Sequence, residues 1–218
     1  MKLRQEYELS LKRLFEDVMF MGVLIEESFR NALKALKTNN QILAEDVIAK
    51  DGKIDQLQVK IEDECVRIIA IQSPVASDLR EVITTLKIVS ELERMGDHAR
   101  HLAQMVGKLS DKQLAVAMPH IEKMISTGLE MIHGALRAFV DRDARLAEEV
   151  ARQDDFIDMH HKELFSKCIA MIKESPEKLE QEISLLFLNR FLERMGDRVT
   201  NMCEWVIYGK SGKHLELN

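Results

Sequence analysis

Glu93-Arg94-Met95-Gly96-Asp97 is repeated without change 100 positions later, as Glu193-Arg194-Met195-Gly196-Asp197. An identity of this length is hard to obtain by chance, and the sequence around it repeats as well. Upstream, Asp51-Gly-Lys-Ile-Asp55 corresponds to Asp154-Asp-Phe-Ile-Asp158. Repetition on this scale indicates a duplicated structural unit. Each unit therefore carries one Asp-x-x-x-Asp motif and one Glu-x-x-x-Asp motif.

The composition of the chain favours long helices. Its 218 residues include only 3 Pro and 9 Gly, with 46% hydrophobic and 31% charged residues. The net charge of −6 and the 5% aromatic content argue against nucleic-acid binding, which calls for a basic surface and stacking aromatics. Cys65, Cys168 and Cys203 lack the close spacing of a metal site, so we expect reduced, buried thiols in a cytoplasmic protein.

The chain lacks the sequence features of membrane insertion. Its N-terminal segment, Met1-Lys-Leu-Arg-Gln-Glu-Tyr-Glu8, is charged throughout and has no signal-peptide apolar core. Nowhere does an apolar run approach the ~18 residues that span a bilayer. Any work at a membrane is therefore expected to be peripheral.

Apolar residues recur at helical spacing through almost the whole chain, which predicts an all-α fold. We expect six long helices, at residues 4–38, 40–72, 74–107, 111–141, 143–174 and 176–209. Short connections make neighbouring helices antiparallel. The chain is thus predicted to form two tandem, sequence-similar three-helix bundles, residues 1–109 and 110–209, followed by a tail, 210–218, that frays.

The predicted breaks contain residues that favour helix starts. Thr38-Asn39-Asn40 and Asp141-Arg142-Asp143 offer N-cap side chains at equivalent places in the two units. Ser73-Pro74 and Ser175-Pro176 each predict an N-cap followed by proline at the first helical position. Ser110-Asp111 separates the two units.

The acidic motifs lie on the predicted buried face of their helices. Glu93 and Glu193 each follow a leucine of the apolar seam by seven residues. Gly96 and Gly196 interrupt good helix sequence at a cost of about 1 kcal/mol each. A glycine at these positions would allow another helix or a bound ion to approach closely.

Pairing of the antiparallel helices brings the motifs of each unit to the same level, because each pair of motifs is nearly equidistant from the turn between them. Four converging carboxylates repel one another and need protons, arginines or a metal ion to balance them. A salt-bridge network with Arg94, Arg100, Arg194 and Arg198 is one solution. The other is metal binding by two sets of four carboxylates: Asp51, Asp55, Glu93 and Asp97 in the first unit, and Asp154, Asp158, Glu193 and Asp197 in the second.

The ligand type restricts the metal. Carboxylate oxygens suit Mg²⁺, Mn²⁺, Fe or Ca²⁺ better than a structural zinc site of Cys and His. Each acidic set could hold more than one ion, with open positions filled by water or by an anion such as phosphate.

The duplicated units, the four acidic motifs and Asp78-Leu79-Arg80 after Ser73-Pro74-Val75-Ala76 together resemble the PhoU family of phosphate-uptake regulators. The resemblance spans nearly the whole chain. It implies two similar three-helix bundles that bind metal, including iron clusters in some members, through the eight carboxylates named above; iron, manganese or magnesium is expected. It also implies a cytoplasmic homodimer without enzymatic activity. Such a protein negatively regulates the phosphate-starvation response by linking a phosphate ABC transporter to a membrane sensor histidine kinase.

One departure from the family pattern distinguishes the two units. The second unit has the family-like Asp197-Arg-Val-Thr-Asn201, whereas the first has Asp97-His-Ala-Arg-His101. An imidazole in place of the amide could change the metal preference of the first unit, so we do not expect equal occupancy.

Three other functions remain open at this point. A ferritin-like di-iron protein needs paired Glu-x-x-His motifs, and the chain offers Glu130–His133 alone. A metal-free helical scaffold and an accessory protein of another phosphate permease are the remaining alternatives. His133, His160 and His161 are predicted to be ordinary exposed helix residues, although His160 and His161 could also lie near the second acidic set.

Overall fold

The computed structural model describes residues 2–174 and 179–217. These residues contain seven α-helices and no β-strand: α1 (Lys2–Thr38), α2 (Gln41–Gln72), α3 (Ser77–Ala103), α4 (Asp111–Asp141), α5 (Ala144–Ala151), α6 (Asp154–Glu174) and α7 (Leu179–Ser211). Helices α1–α3 form the first bundle and α4–α7 form the second. The predicted all-α fold of two three-helix bundles is confirmed.

The fifth predicted helix is interrupted. Residues 143–174 form two helices, α5 and α6, because a tight turn at Arg152–Gln153 separates them. The Gln153 amide donates to the Val150 carbonyl at 3.0 Å, which forms a single turn of 3₁₀ type between the two helices. The interruption places Asp154 at the first position of α6.

Two of the predicted helix caps are confirmed. The Asn40 side chain accepts a hydrogen bond from the Leu43 amide at 3.0 Å at the start of α2. Asp143 accepts from the Leu146 amide at the same distance at the start of α5. Each side chain satisfies a backbone donor that has no partner within its helix.

The predicted cap at Ser73-Pro74 is wrong. Ser73 instead closes α2 in the left-handed conformation (φ 46°), with its amide donating to the Ile69 carbonyl at 3.2 Å. Helix α3 begins only at Ser77, so Pro74 belongs to the connection. The equivalent prediction at Ser175-Pro176 lies outside the described residues.

One continuous apolar core joins the two bundles. The helices that carry the Glu-x-x-x-Asp motifs, α3 and α7, pack against each other across the junction. Arg198 of α7 donates to Glu91 of α3 at 3.1 Å, with both side chains largely buried. The Thr84 hydroxyl donates to the Trp205 carbonyl at 3.4 Å. The junction therefore holds the acidic motifs of the two units in a fixed relation.

The described part of the tail does not fray, contrary to the prediction. Gly212 adopts a positive φ of 70°, which turns the chain after α7. The His214 ring then stacks on Tyr208, with centroids 4.4 Å apart, and the Leu217 amide donates to Glu204 at 2.9 Å. The tail thus lies back along the last turns of α7.

Two further expectations can be compared with the structure. All three cysteines are buried and unpaired, as predicted, and burial raises the pKa of Cys65 to about 12. Such thiols are poor nucleophiles at neutral pH.

Across residues 2–174 and 179–217, no helix combines the length and the apolarity that a bilayer crossing requires.

Candidate metal centres

Each set of four carboxylates lies at one helix pair, within electrostatic range, but among the described residues no three of these carboxylates have donor atoms that all lie within 4.8 Å of one another. Asp51 and Asp55 on α2 interact electrostatically with Glu93 and Asp97 on α3, and the same motifs on α6 and α7 interact in the second unit. Burial raises the pKa of Glu93, and the negative charges of Asp97 and Asp55 raise it further. Their mutual repulsion shows that the acidic groups of one unit share a single electrostatic environment.

The first acidic set contains its own cation. Burial raises the pKa of Asp51, while Arg100 opposes that shift and Asp55 and Asp97 add to it. The Arg100 guanidinium forms an ion pair with Asp51, with Nε 2.7 Å from Oδ2, and a second ion pair with Asp97. Arg100 therefore bridges α2 to α3 and balances part of the negative charge.

The second acidic set has no such bridge, because Thr200 occupies the position equivalent to Arg100. Asp154 is only 8% exposed. Burial raises its pKa to about 7, and Asp197, Asp158 and Glu193 contribute further in that order. The Thr200 hydroxyl is a distant donor, 3.5 Å from Asp154 Oδ2. The negative charge of the second set is therefore poorly balanced.

Two buried carboxylate oxygens of the second set lack a hydrogen-bond partner in the structure, namely Asp154 Oδ1 and Glu193 Oε2. The other groups are held from outside: Arg190 pairs with Glu193, and Lys162 donates to Asp158 at 2.9 Å. Both basic side chains are exposed, so they can leave. Because buried carboxylates without a partner are costly, these residues fit an oxygen-preferring metal ion.

The motif glycines allow the acidic helices to approach closely. A Cβ on Gly196 would overlap Oδ1 of Asp154. In the first unit, a Cβ on Gly96 would lie 3.0 Å from Cδ1 of Ile54 and 3.6 Å from Oδ1 of Asp51. At Gly196 a side chain would fit only if Asp154 moved, whereas the contacts at Gly96 are tight without overlap.

The imidazoles that distinguish the first unit contact the second bundle. The His101 ring stacks on Phe191 of α7 with centroids 4.5 Å apart, and its Nδ1 lies 3.2 Å from Gln104 Oε1. His98 also stacks on Phe191, at 5.7 Å. Both rings contribute to the packing of α3 against α7.

The ferritin-like alternative finds no support in the described residues. Glu130 and His133 are both exposed on the outer face of α4. Since a di-iron centre of that class directs its Glu-x-x-His ligands into the bundle, this pair does not serve as one.

A histidine pair that the sequence analysis missed lies inside the second bundle. His160 was predicted to be exposed, and this prediction is wrong: the residue is 4% exposed and faces His120 of α4. Among the described residues, one group of potential ligands has all its donor atoms within 4.8 Å of one another, and it is His120, His160 and Glu163. The His160–Glu163 spacing was visible in the sequence, but His120 lies 40 residues away on another helix.

Comparison with known proteins identifies the family. The model of the PhoU domain matches residues 18–106 and again residues 121–206. A phosphate-specific transport system accessory protein PhoU homolog from Clostridium acetobutylicum is 37% identical over 216 residues, covering 99% of each chain.

Solved structures show the same similarity. The crystal structure of the phosphate transport system regulatory protein PhoU from Streptococcus pneumoniae superposes with a TM-score of 0.88 at 33% identity, covering 96% of this chain and 99% of that one. PhoU from Pseudomonas aeruginosa gives a TM-score of 0.86 at 32% identity, covering 95% of this chain and all of the other. The duplicated helical chain with its paired acidic motifs belongs to the PhoU family.

Proposed function

We propose that this protein is a metal-binding negative regulator of phosphate uptake and phosphate-starvation signalling. It acts as an adaptor between a phosphate ABC transporter and a membrane sensor histidine kinase. Support comes from the family and from relatives named as phosphate transport accessory or regulatory proteins. The protein works in the cytoplasm as a homodimer and without catalysis of its own.

The observation that carries metal binding is Asp154. Its carboxylate is buried, has one oxygen without a partner and is surrounded by three further acidic groups. A bound ion would supply the positive charge that Arg100 supplies in the first unit. We therefore assign iron, manganese or magnesium first to Asp154, Asp158, Glu193 and Asp197, and to the first set with lower affinity.

The position of this site connects metal binding to the adaptor role. Its ligands lie on α6 and α7, and α7 packs along α3 of the first bundle. An ion that ties α6 to α7 would stabilise one arrangement of the two bundles and of the surfaces that they present. Phosphate status would then decide which partner engages those surfaces, as a shift between two populated arrangements.

Complementation tests the proposal. A host strain that lacks the gene and carries a phosphate-starvation reporter is grown in phosphate-rich medium. The wild-type chain should restore repression of the reporter, and an Asp154→Asn/Asp197→Asn variant of equal abundance should restore much less. The Asp51→Asn/Asp97→Asn variant is the matched control and should retain most of the repression. Failure of the wild-type chain to restore repression would contradict the regulatory role.

A further inference from the structure

Two buried imidazoles face each other between α4 and α6. Nδ1 of His120 lies 3.2 Å from Nδ1 of His160, and both residues are at most 5% exposed. Glu163, one turn after His160, places Oε2 3.6 Å from the first nitrogen and 3.8 Å from the second. Three donor atoms from two helices thus form a small triangle.

The size of this triangle matches a metal coordination sphere. A triangle with sides of 3.2, 3.6 and 3.8 Å has a centre about 2.1 Å from each corner. Zinc binds imidazole nitrogen at about 2.0–2.1 Å and carboxylate oxygen at about 2.0–2.2 Å. We propose that His120, His160 and Glu163 form a zinc site that ties α4 to α6 within the second bundle.

The chemistry of the ligands agrees with the geometry. Two imidazoles and one glutamate are a common set for zinc that keeps a fourth position for water. Burial and the nearby Lys167 lower the pKa of His120, which favours the neutral ring that coordination requires. The Glu163 side chain is 52% exposed, so the ion has a route from solvent.

The His160 ring is fixed by packing rather than by hydrogen bonds at both of its nitrogens. Its Nε2 is buried and has no hydrogen-bond partner in the structure. The ring is held instead by the edge of Phe156, with centroids 4.6 Å apart. Packing thus orients His160 with Nδ1 toward His120 and Glu163, and Nε2 would carry the ring proton when Nδ1 binds zinc.

Two lysines oppose cation binding. Lys167 Nζ lies 2.7 Å from His120 Nε2, and Lys123 adds positive charge near both rings. With zinc on Nδ1, His120 Nε2 carries a proton and cannot accept from Lys167, whose exposed side chain must then move away. Replacing Lys167 by Gln should therefore tighten zinc binding, by about threefold or more.

The experiment uses the full chain after chelator treatment. Zinc is titrated in competition with a chromophoric chelator at pH 7.5, and cobalt(II) is titrated separately with detection of its visible absorption. Glu163→Gln tests an exposed ligand without threatening the fold, and His120→Gln tests a buried one. His133→Gln, an exposed histidine of the same helix, is the matched control, and Asp197→Asn reports on the second acidic set.

We expect both ligand variants to weaken zinc binding at least tenfold and to abolish the intense bands of tetrahedral cobalt. His133→Gln should bind zinc within about twofold of the wild-type chain, and Asp197→Asn should keep the cobalt bands of the histidine site. Unchanged zinc affinity and cobalt bands in Glu163→Gln would overturn the proposal. So would weakening by Asp197→Asn alone, because zinc would then occupy the acidic set. A chain with an intact zinc site and failed complementation would contradict the regulatory function separately.

Discussion

Asp154→Asn should stabilise the metal-free protein, although it removes a charged group from a well-packed core. Asparagine keeps the shape of aspartate and the acceptor for Thr200, 3.5 Å away. It removes the negative charge that burial and Asp197, Asp158 and Glu193 make unfavourable. The variant thus tests whether the charge of the second acidic set is unbalanced.

The magnitude follows from the raised pKa. The interval between about 7 and the ordinary 3.8 corresponds to roughly 4 kcal/mol at 1.36 kcal/mol per unit. Relaxation of the surroundings and water entry reduce that upper bound, so we expect a gain of about 1–3 kcal/mol at pH 8. For a chain of this length, each kcal/mol shifts the unfolding midpoint by about 2–4 °C.

The gain should depend on pH with a defined sign. The folded-state pKa of Asp154 is raised, so its contribution to stability is complete below about pH 4 and is lost as the pH rises through about 7. The advantage of Asp154→Asn should therefore be less than half as large at pH 5 as at pH 8. Thermal unfolding followed by circular dichroism after chelator treatment measures both values.

Two comparisons complete this test. Asp51→Asn is the matched control in the first unit and should gain less, because Arg100 already forms an ion pair with Asp51 at 2.7 Å. In excess Mn²⁺ the wild-type chain should become more stable than Asp154→Asn, because the metal binds and stabilises only the wild-type chain. A metal-free Asp154→Asn protein that is no more stable than wild type at pH 8 would refute the reasoning.

Three further substitutions test the packing and the charge balance. Gly196→Ala should lower the free energy of unfolding by about 2 kcal/mol or more, because the new Cβ would overlap Asp154 Oδ1. Gly52→Ala, where no atom lies within 4 Å of the new Cβ, should raise the free energy of unfolding by about 0.5–1 kcal/mol. Urea unfolding compares the two variants, and equal effects would contradict the close approach of the helices at Gly196. Arg100→Gln should destabilise the metal-free chain by about 1–3 kcal/mol at pH 8, because Asp51 loses its charged partner. An unchanged midpoint of urea unfolding would show that Arg100 does not balance the charge of the first acidic set.

The repeat made most of the fold predictable. Because equivalent caps occur inside both units, the starts of α2 and α5 followed from Asn40 and Asp143, and α4 has the predicted bounds of 111–141. The interruption before Asp154 was not predictable, since the sequence of α5 and α6 keeps a helical apolar pattern across Arg152–Gln153. Local hydrogen bonding and packing, which periodicity does not report, decide that break.

The candidate sites were predictable only in part. Motif spacing predicted the two acidic sets, because antiparallel pairing makes distance along the chain a measure of position in space. The two acidic sets differ in charge balance because Arg100 in the first unit corresponds to Thr200 in the second. The sequence does not show that the Arg100 side chain points at the carboxylates, so this difference could not be predicted. The pairing of His120 with His160 depends on how α4 packs on α6, so spacing in the sequence could not reveal it.

Quantification of iron, manganese and magnesium by mass spectrometry, on protein purified without an affinity tag, tests the central claim most directly. The account predicts metal in stoichiometric amounts in the wild-type chain, loss of that metal in Asp154→Asn/Asp197→Asn, and retention of most of it in Asp51→Asn/Asp97→Asn. Wild-type protein without any of these metals, even after reloading, would contradict the claim. Equal loss in the two double variants would contradict the assignment to the second unit.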